Sequence, residues 1–173
     1  MVIWLTGVSG AGKSTIASTL LQQLKTRGDA TALLDGDDLR RGLNSDLGYT
    51  VGDRKENVRR VSEVARLMSD AGLVVIVALI SPFKVDRDAA RSRLPTGCFI
   101  EVFVSTPLSV AEARDPKGLY RRARAGQLLD FTGIGSPYEA PDAPEVRIET
   151  EFTPPEQAAR LIVAAMDAAQ RTA

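Results

Sequence analysis

Apolar and polar positions alternate between two rhythms along this chain. Nearly unbroken apolar runs of strand length stand at Val2-Ile3-Trp4-Leu5, Thr31-Ala32-Leu33-Leu34, Leu73 to Ile80 and Cys98 to Val104. Such runs predict strands covered on both faces, the mark of a parallel sheet. Between them apolar residues recur every three or four positions, which predicts helices with one buried face. The first helix follows Gly12 and runs to about Gly28, with Ile16, Leu20, Leu21 and Leu24 inward. A short helix is expected from Asp37 to Leu43, then a loop from Asn44 to Gly52. Asp53 with Glu56 reads as a capping box opening a long helix, whose inner stripe is Val58, Val61, Val64, Ala65 and Met68.

Val85 to Leu94 reads as a polar helix, and Pro107 opens another at the first helical position. Asp115-Pro116 breaks that one, and Lys117 to Gln127 reads as a basic helix. Phe131 to Pro144, with two glycines and three prolines, is loop, and Val146-Arg147-Ile148 a weak edge strand. Pro154-Pro155 starts a terminal helix that buries Ala158, Leu161, Ile162, Ala165 and Met166. Alternating strands and helices predict an α/β fold, a parallel sheet wrapped on both sides, with all 173 residues in one domain.

Composition narrows the function classes. Lys+Arg and Asp+Glu each number 22, so no global field favours nucleic acid or an anionic membrane. The longest apolar run is too short to span a bilayer, and a cytoplasmic protein is expected. A lone cysteine, Cys98, excludes an internal disulfide and is expected to be a small buried residue. The chain has no histidine. Any proton acceptor must therefore be a carboxylate.

Ligands in such sheets sit beyond the carboxyl ends of the strands. After the first strand stands Gly7-Val8-Ser9-Gly10-Ala11-Gly12-Lys13-Ser14-Thr15, the spacing of a phosphate-binding loop. Its glycines let backbone N–H groups curl around a polyphosphate, and the following helix adds unpaired N–H groups. Lys13 supplies charge for the outer phosphates, and the Ser14 hydroxyl is a Mg²⁺ ligand. The loop predicts binding of a nucleoside triphosphate, ATP, through Gly7, Ser9, Gly10, Ala11, Gly12, Lys13, Ser14 and Thr15.

Asp35-Gly36-Asp37 ends the second strand, and two carboxylates there suit a metal and a proton. Asp37 is favoured as base and Asp35 as the metal-side partner, the alternative being a helix cap beside a turn aspartate. Arg54 and Asn57 share one helix face, a pairing that grips phosphate or sulfate, and Arg40 sits one turn after Asp37. Lys55, Arg59 and Arg60 read as solvated surface. Lys117, Arg121 and Arg124 are expected on one face of the basic helix, in a mobile lid over about residues 115 to 135 that excludes water.

GVSGAGKST, LDGD, DLGY before DRKENVRRVSEVA, ISP, IEVFVSTPL, ARDPKGLYRRARAG and FTGI occur in this order over about residues 2 to 145. In these blocks the chain resembles adenylyl-sulfate kinase. The resemblance implies a P-loop kinase fold with a five-stranded parallel sheet. It also implies ATP and Mg²⁺ as cofactors, adenylyl sulfate as substrate, and a homodimer. Asp37, Arg40, Tyr49, Arg54, Asn57, Ile80, Ser81, Lys117 and Phe131 match the family's substrate positions, with Tyr49 and Phe131 packing on adenine. For Ser81 it implies a phosphoserine intermediate, although in-line transfer needs none and a hydrogen bond to substrate is the alternative. The adenine of ATP is expected near Thr153. Asp38 and Tyr49 depart from the family's usual Asn and Phe. Rival readings are a kinase of another hydroxylated metabolite or antibiotic and a non-catalytic nucleotide-binding homologue.

Overall fold

The computed structural model describes residues 1–172. Five strands, β1 (Val2–Thr6), β2 (Thr31–Asp35), β3 (Val74–Ala78), β4 (Phe99–Ser105) and β5 (Val146–Glu149), pair in parallel in the order β2-β3-β1-β4-β5. The helices are α1 (Lys13–Arg27), α2 (Gly36–Arg41), α3 (Val51–Asp70), α4 (Lys84–Arg91), α5 (Leu108–Arg114), α6 (Leu119–Arg124) and α7 (Pro155–Thr172).

The alternation of strand side chains sorts the core into two layers. Ile3, Leu5, Ile76, Ile100, Val102 and Ile148 face Ile16, Leu20 and Leu24 of α1 and Ala158, Ile162 and Met166 of α7. Val2, Trp4, Val75, Val77 and Phe99 face Val58, Val61 and Ala65 of α3 and Ala90 of α4. The middle strands are therefore apolar throughout, because neither face meets water. A third, small cluster of Ala111, Tyr120, Ala123 and Phe131 holds the lid segment together.

The chain leaves β1 for β2, returns through β3, then crosses to β4 on the other side of β1. That reversal opens a crevice at the carboxyl ends of β1, β3 and β4, where a ligand fits.

Several boundaries differ from expectation for identifiable reasons. The capping box of α3 is formed by Thr50 and Asp53, not by Asp53 and Glu56. Glu56 is held instead by Arg59 and Arg60. The basic helix is shorter than predicted, since Asp115 (φ 21°) and Gly118 (φ 63°) both take left-handed conformations and leave Lys117 in the turn before α6. Pro107 is the residue preceding α5 rather than its first. Leu161 is exposed, because the buried stripe of α7 runs through Ala158, Ile162 and Met166, and Ala165 is half-buried. Cys98 is only half-buried, as it precedes β4 at the sheet margin.

Candidate active site

The phosphate loop leaves β1 through Gly7, whose backbone passes so close to β4 that an added Cβ would meet the Val104 carbonyl oxygen at 2.6 Å. Gly12, at φ 106°, turns the chain into α1. Ala11 is buried beneath the loop, anchored by Thr106 Oγ1 donating to its carbonyl at 3.0 Å. Lys13 Nζ donates to the carbonyls of Gly7 (2.8 Å) and Val8 (2.7 Å). Desolvation pulls the Lys13 ammonium down to about 7, against the raising influence of Asp35. A half-buried ammonium with only carbonyl partners is a site for an anion.

Asp35 caps α2 by accepting from the Asp37 N–H at 2.9 Å, and its other oxygen accepts from Ser14 Oγ at 2.6 Å. The cap and the functional reading coexist in one carboxylate. Asp37 reaches Lys117 from the lid, and the two form an ion pair.

Loop residues 43–50 and α3 build the facing wall. Arg40 donates to the carbonyls of Leu47 and Gly48 and lies 4.3 Å over the Tyr49 ring. Arg54 donates to the carbonyls of Tyr49 (3.0 Å) and Asp130 (2.7 Å), and its guanidinium lies 5.8 Å from the same ring. Neither arginine forms an ion pair among the described residues. Burial, and then the charge of Arg40, hold the Arg54 guanidinium below its ordinary range. Two neighbouring cations with no carboxylate in ion-pair contact suit a negatively charged ligand.

One cavity of about 540 Å³ unites these groups. Ser9, Gly10, Gly12, Lys13, Ser14, Thr15, Asp35 and Asp37 line it together with Arg40, Tyr49, Arg54, Asn57, Ile80, Ser81, Lys117 and Phe131. Gly7 and Ala11 lie behind it. Arg121, Arg124 and Thr153 do not line this cavity. Arg124 turns outward to pair with Glu112, because the short α6 points its charged face at solvent. Thr153 belongs to the turn after β5, its N–H bonded to Glu149.

Ser81 is 3% exposed, and its hydroxyl accepts from Trp4 Nε1 and donates to Thr6 Oγ1, each at 3.0 Å. That pairing holds the hydroxyl against the interior side of the cavity wall.

Two residues, one lining the cavity and one behind it in the lid, were missed in the sequence as parts of the site. Arg114 lines the cavity and donates to Thr150 Oγ1 at 3.0 Å. Tyr120 is buried in the lid, meets Phe131 edge-on at 4.9 Å, and donates its hydroxyl to the Ser9 carbonyl at 2.8 Å. The RDPKG block around Arg114 was a signal for the first. Nothing in the sequence marks the second, whose partner is 111 positions away.

Fold and cavity together define a P-loop kinase. Residues 1–149 match the adenylylsulphate kinase family model. The chain is 63% identical over 156 residues to an adenylyl-sulfate kinase of Burkholderia ambifaria, covering 90% of this chain and 86% of that one. It is 60% identical to an adenylyl-sulfate kinase of Klebsiella pneumoniae, over 87% of this chain and 75% of the other. Among solved structures, the APS kinase CysC of Mycobacterium tuberculosis in complex with AMPPNP and APS superposes with a TM-score of 0.91 at 43% identity, covering 96% of each chain. The chain belongs to the adenylyl-sulfate kinase family.

Proposed function

We propose that the chain transfers the γ-phosphoryl group of ATP to the 3′-hydroxyl of adenylyl sulfate, giving 3′-phosphoadenylyl sulfate and ADP. The observation that carries this reading is the pair of guanidinium groups, Arg40 and Arg54, that form no ion pair among the described residues and stand beside the Tyr49 ring in the cavity that also holds Lys13. An aromatic face and two cations match a nucleotide bearing a sulfate. Lys13 and the loop N–H groups match a triphosphate.

In this reading the triphosphate replaces the Gly7 and Val8 carbonyls as the partner of Lys13. Asp37 takes the proton of the 3′-hydroxyl, whose oxygen forms the new bond to the γ-phosphorus. The bond from that phosphorus to the β–γ bridging oxygen breaks, and ADP leaves with the electron pair. Lys117, held by Asp37 in the ligand-free chain, is placed to stabilise charge on the transferring group. Lid residues 115 to 135 keep water from competing with the hydroxyl.

Mg²⁺ is part of the proposal. Ser14 Oγ and Asp35 Oδ2, 2.6 Å apart, are hard oxygen donors. The described residues hold no cluster of three or more metal-ligating side chains. The donor set therefore fits an ion that takes one or two protein ligands and completes its shell with phosphates and water. Bound there, it would neutralise charge building on the phosphates.

ADP release with ATP and adenylyl sulfate, compared with AMP, sugars and other hydroxylated metabolites, tests the substrate. Adenylyl sulfate should dominate; equal turnover of the others would overturn the reading. The homodimer rests on the family resemblance, and light scattering reading a monomer would remove it. No described helix is long and apolar enough to cross a membrane. With ATP as donor, the cytoplasm is the proposed compartment.

A further inference from the structure

Asn44 is fully buried in the loop that follows α2. Its backbone is fixed at both ends: the N–H donates to Leu39 (2.9 Å), and the carbonyl accepts from Leu47 (3.2 Å). Its side-chain Nδ2 donates to Asn57 Oδ1 at 3.0 Å, a bond buried on both sides. Asn44 Oδ1 has no partner. Asn57 lines the cavity on the same α3 face as Arg54, one turn further on.

We propose that Asn44 is a positioning residue that fixes which end of the Asn57 carboxamide meets the substrate. With Oδ1 of Asn57 occupied, only its Nδ2 is left to face the cavity, and no hydrogen bond joins that nitrogen to another described residue. The opposite arrangement, both amides turned over, would leave both hydrogens of Asn44 Nδ2 buried and unpaired, where the present one leaves one hydrogen and Oδ1, and a buried orphan N–H is the rarer of the two. It would also aim a carbonyl oxygen at the space beside Arg40 and Arg54. As built, the wall formed by Arg40, Arg54 and Asn57 offers N–H donors only. Such a wall suits the oxygens of a sulfate or phosphate group and repels nothing that carries negative charge.

This inference rests on the reading of adenylyl sulfate as substrate, and the test separates the two. Steady-state KM values for adenylyl sulfate and for ATP are measured in wild type, Asn44→Asp, Asn57→Leu and the double variant. A carboxylate at position 44 cannot donate to Oδ1, so the Asn57 amide turns and shows its oxygen to the anion. Losing one hydrogen bond to a charged group should raise the KM for adenylyl sulfate about tenfold or more in Asn44→Asp, with the KM for ATP within about twofold. On top of Asn57→Leu the same change should add less than about twofold, because the amide it orients is gone. Independent, multiplying effects, or an equal rise in the KM for ATP, would overturn the proposal. If Asn44→Asp does not fold, Asn44→Leu replaces it; it frees the Asn57 amide without turning it, so a smaller rise of about threefold confined to adenylyl sulfate is expected, and an equal rise for ATP overturns the proposal. A wild-type protein inactive on adenylyl sulfate would instead defeat the substrate reading.

Discussion

Lys13 shows most directly how one residue carries its chemistry. Its ammonium is half-buried and donates to the Gly7 and Val8 carbonyls, and desolvation depresses its pKa to about 7. Phosphate oxygens restore the charged form, so at pH 8 nucleotide binding should take up a proton. The sign follows: binding favours the protonated state, so nucleotide affinity should weaken above pH 7, by up to about tenfold per pH unit. Calorimetry in buffers of different ionisation enthalpy checks this, and Lys13→Arg, always charged, should abolish the uptake. Lys13→Ala should lower kcat by about a hundredfold or more, since the charge that stabilises the transferring group is gone. Lys13, Asp35, Asp37, Arg54 and Asn57 were legible because strand ends and helix spacing place them. The partners of the Ser81 hydroxyl, Trp4 and Thr6, were not legible because they lie 77 and 75 positions away.

The lid is the element whose structure the chain order hides. The basic residues Lys117, Arg121, Arg122 and Arg124 predict one helix from Lys117 to Gln127, yet α6 is only six residues long. Asp115 accepts from the N–H groups of Tyr120 and Arg121 at 3.0 Å and folds the segment back on itself. Tyr120 then becomes the hinge pin, packed on Phe131 and bonded to Ser9 of the phosphate loop. Tyr120→Phe keeps the ring contact and removes only the bond to Ser9. That change should raise the KM for ATP several-fold and speed proteolysis of the lid, with little loss of overall stability, because one hydrogen bond is worth about 1 kcal/mol. An unchanged KM with an unchanged cleavage pattern would show that the lid is not tied to the loop through this hydroxyl.

At the scale of the whole molecule, the five-stranded sheet was readable from apolar runs because parallel strands buried on both faces leave no other pattern. What such runs cannot reveal is how charged groups lock the layers. Arg87 is 2% exposed and donates to Glu101 Oε1 (2.7 Å), the Ser81 carbonyl (2.8 Å) and the Glu139 carbonyl (2.8 Å). It thus joins α4, β4 and the left-handed turn at Ser81 (φ 38°) beside the cavity. Arg87→Met should cost about 3 kcal/mol, since Glu101 is left buried with only its longer ion pair to Arg91, at 3.5 Å. Thermal unfolding checks that value. Arg87→Met/Glu101→Leu should recover much of the loss, as an apolar pair replaces the ion pair.

All three scales meet in the cavity between Lys13 and the guanidinium pair, so the decisive measurement is a binding titration there. Adenylyl sulfate and AMP are titrated by calorimetry into the protein with MgADP, in wild type and in Arg54→Ala. Adenylyl sulfate should bind wild type at least about tenfold more tightly than AMP, and Arg54→Ala should erase most of that preference while leaving MgADP affinity unchanged. Equal affinity of wild type for the two nucleotides, or a variant that loses MgADP instead, would contradict the assignment of this wall to the sulfated substrate.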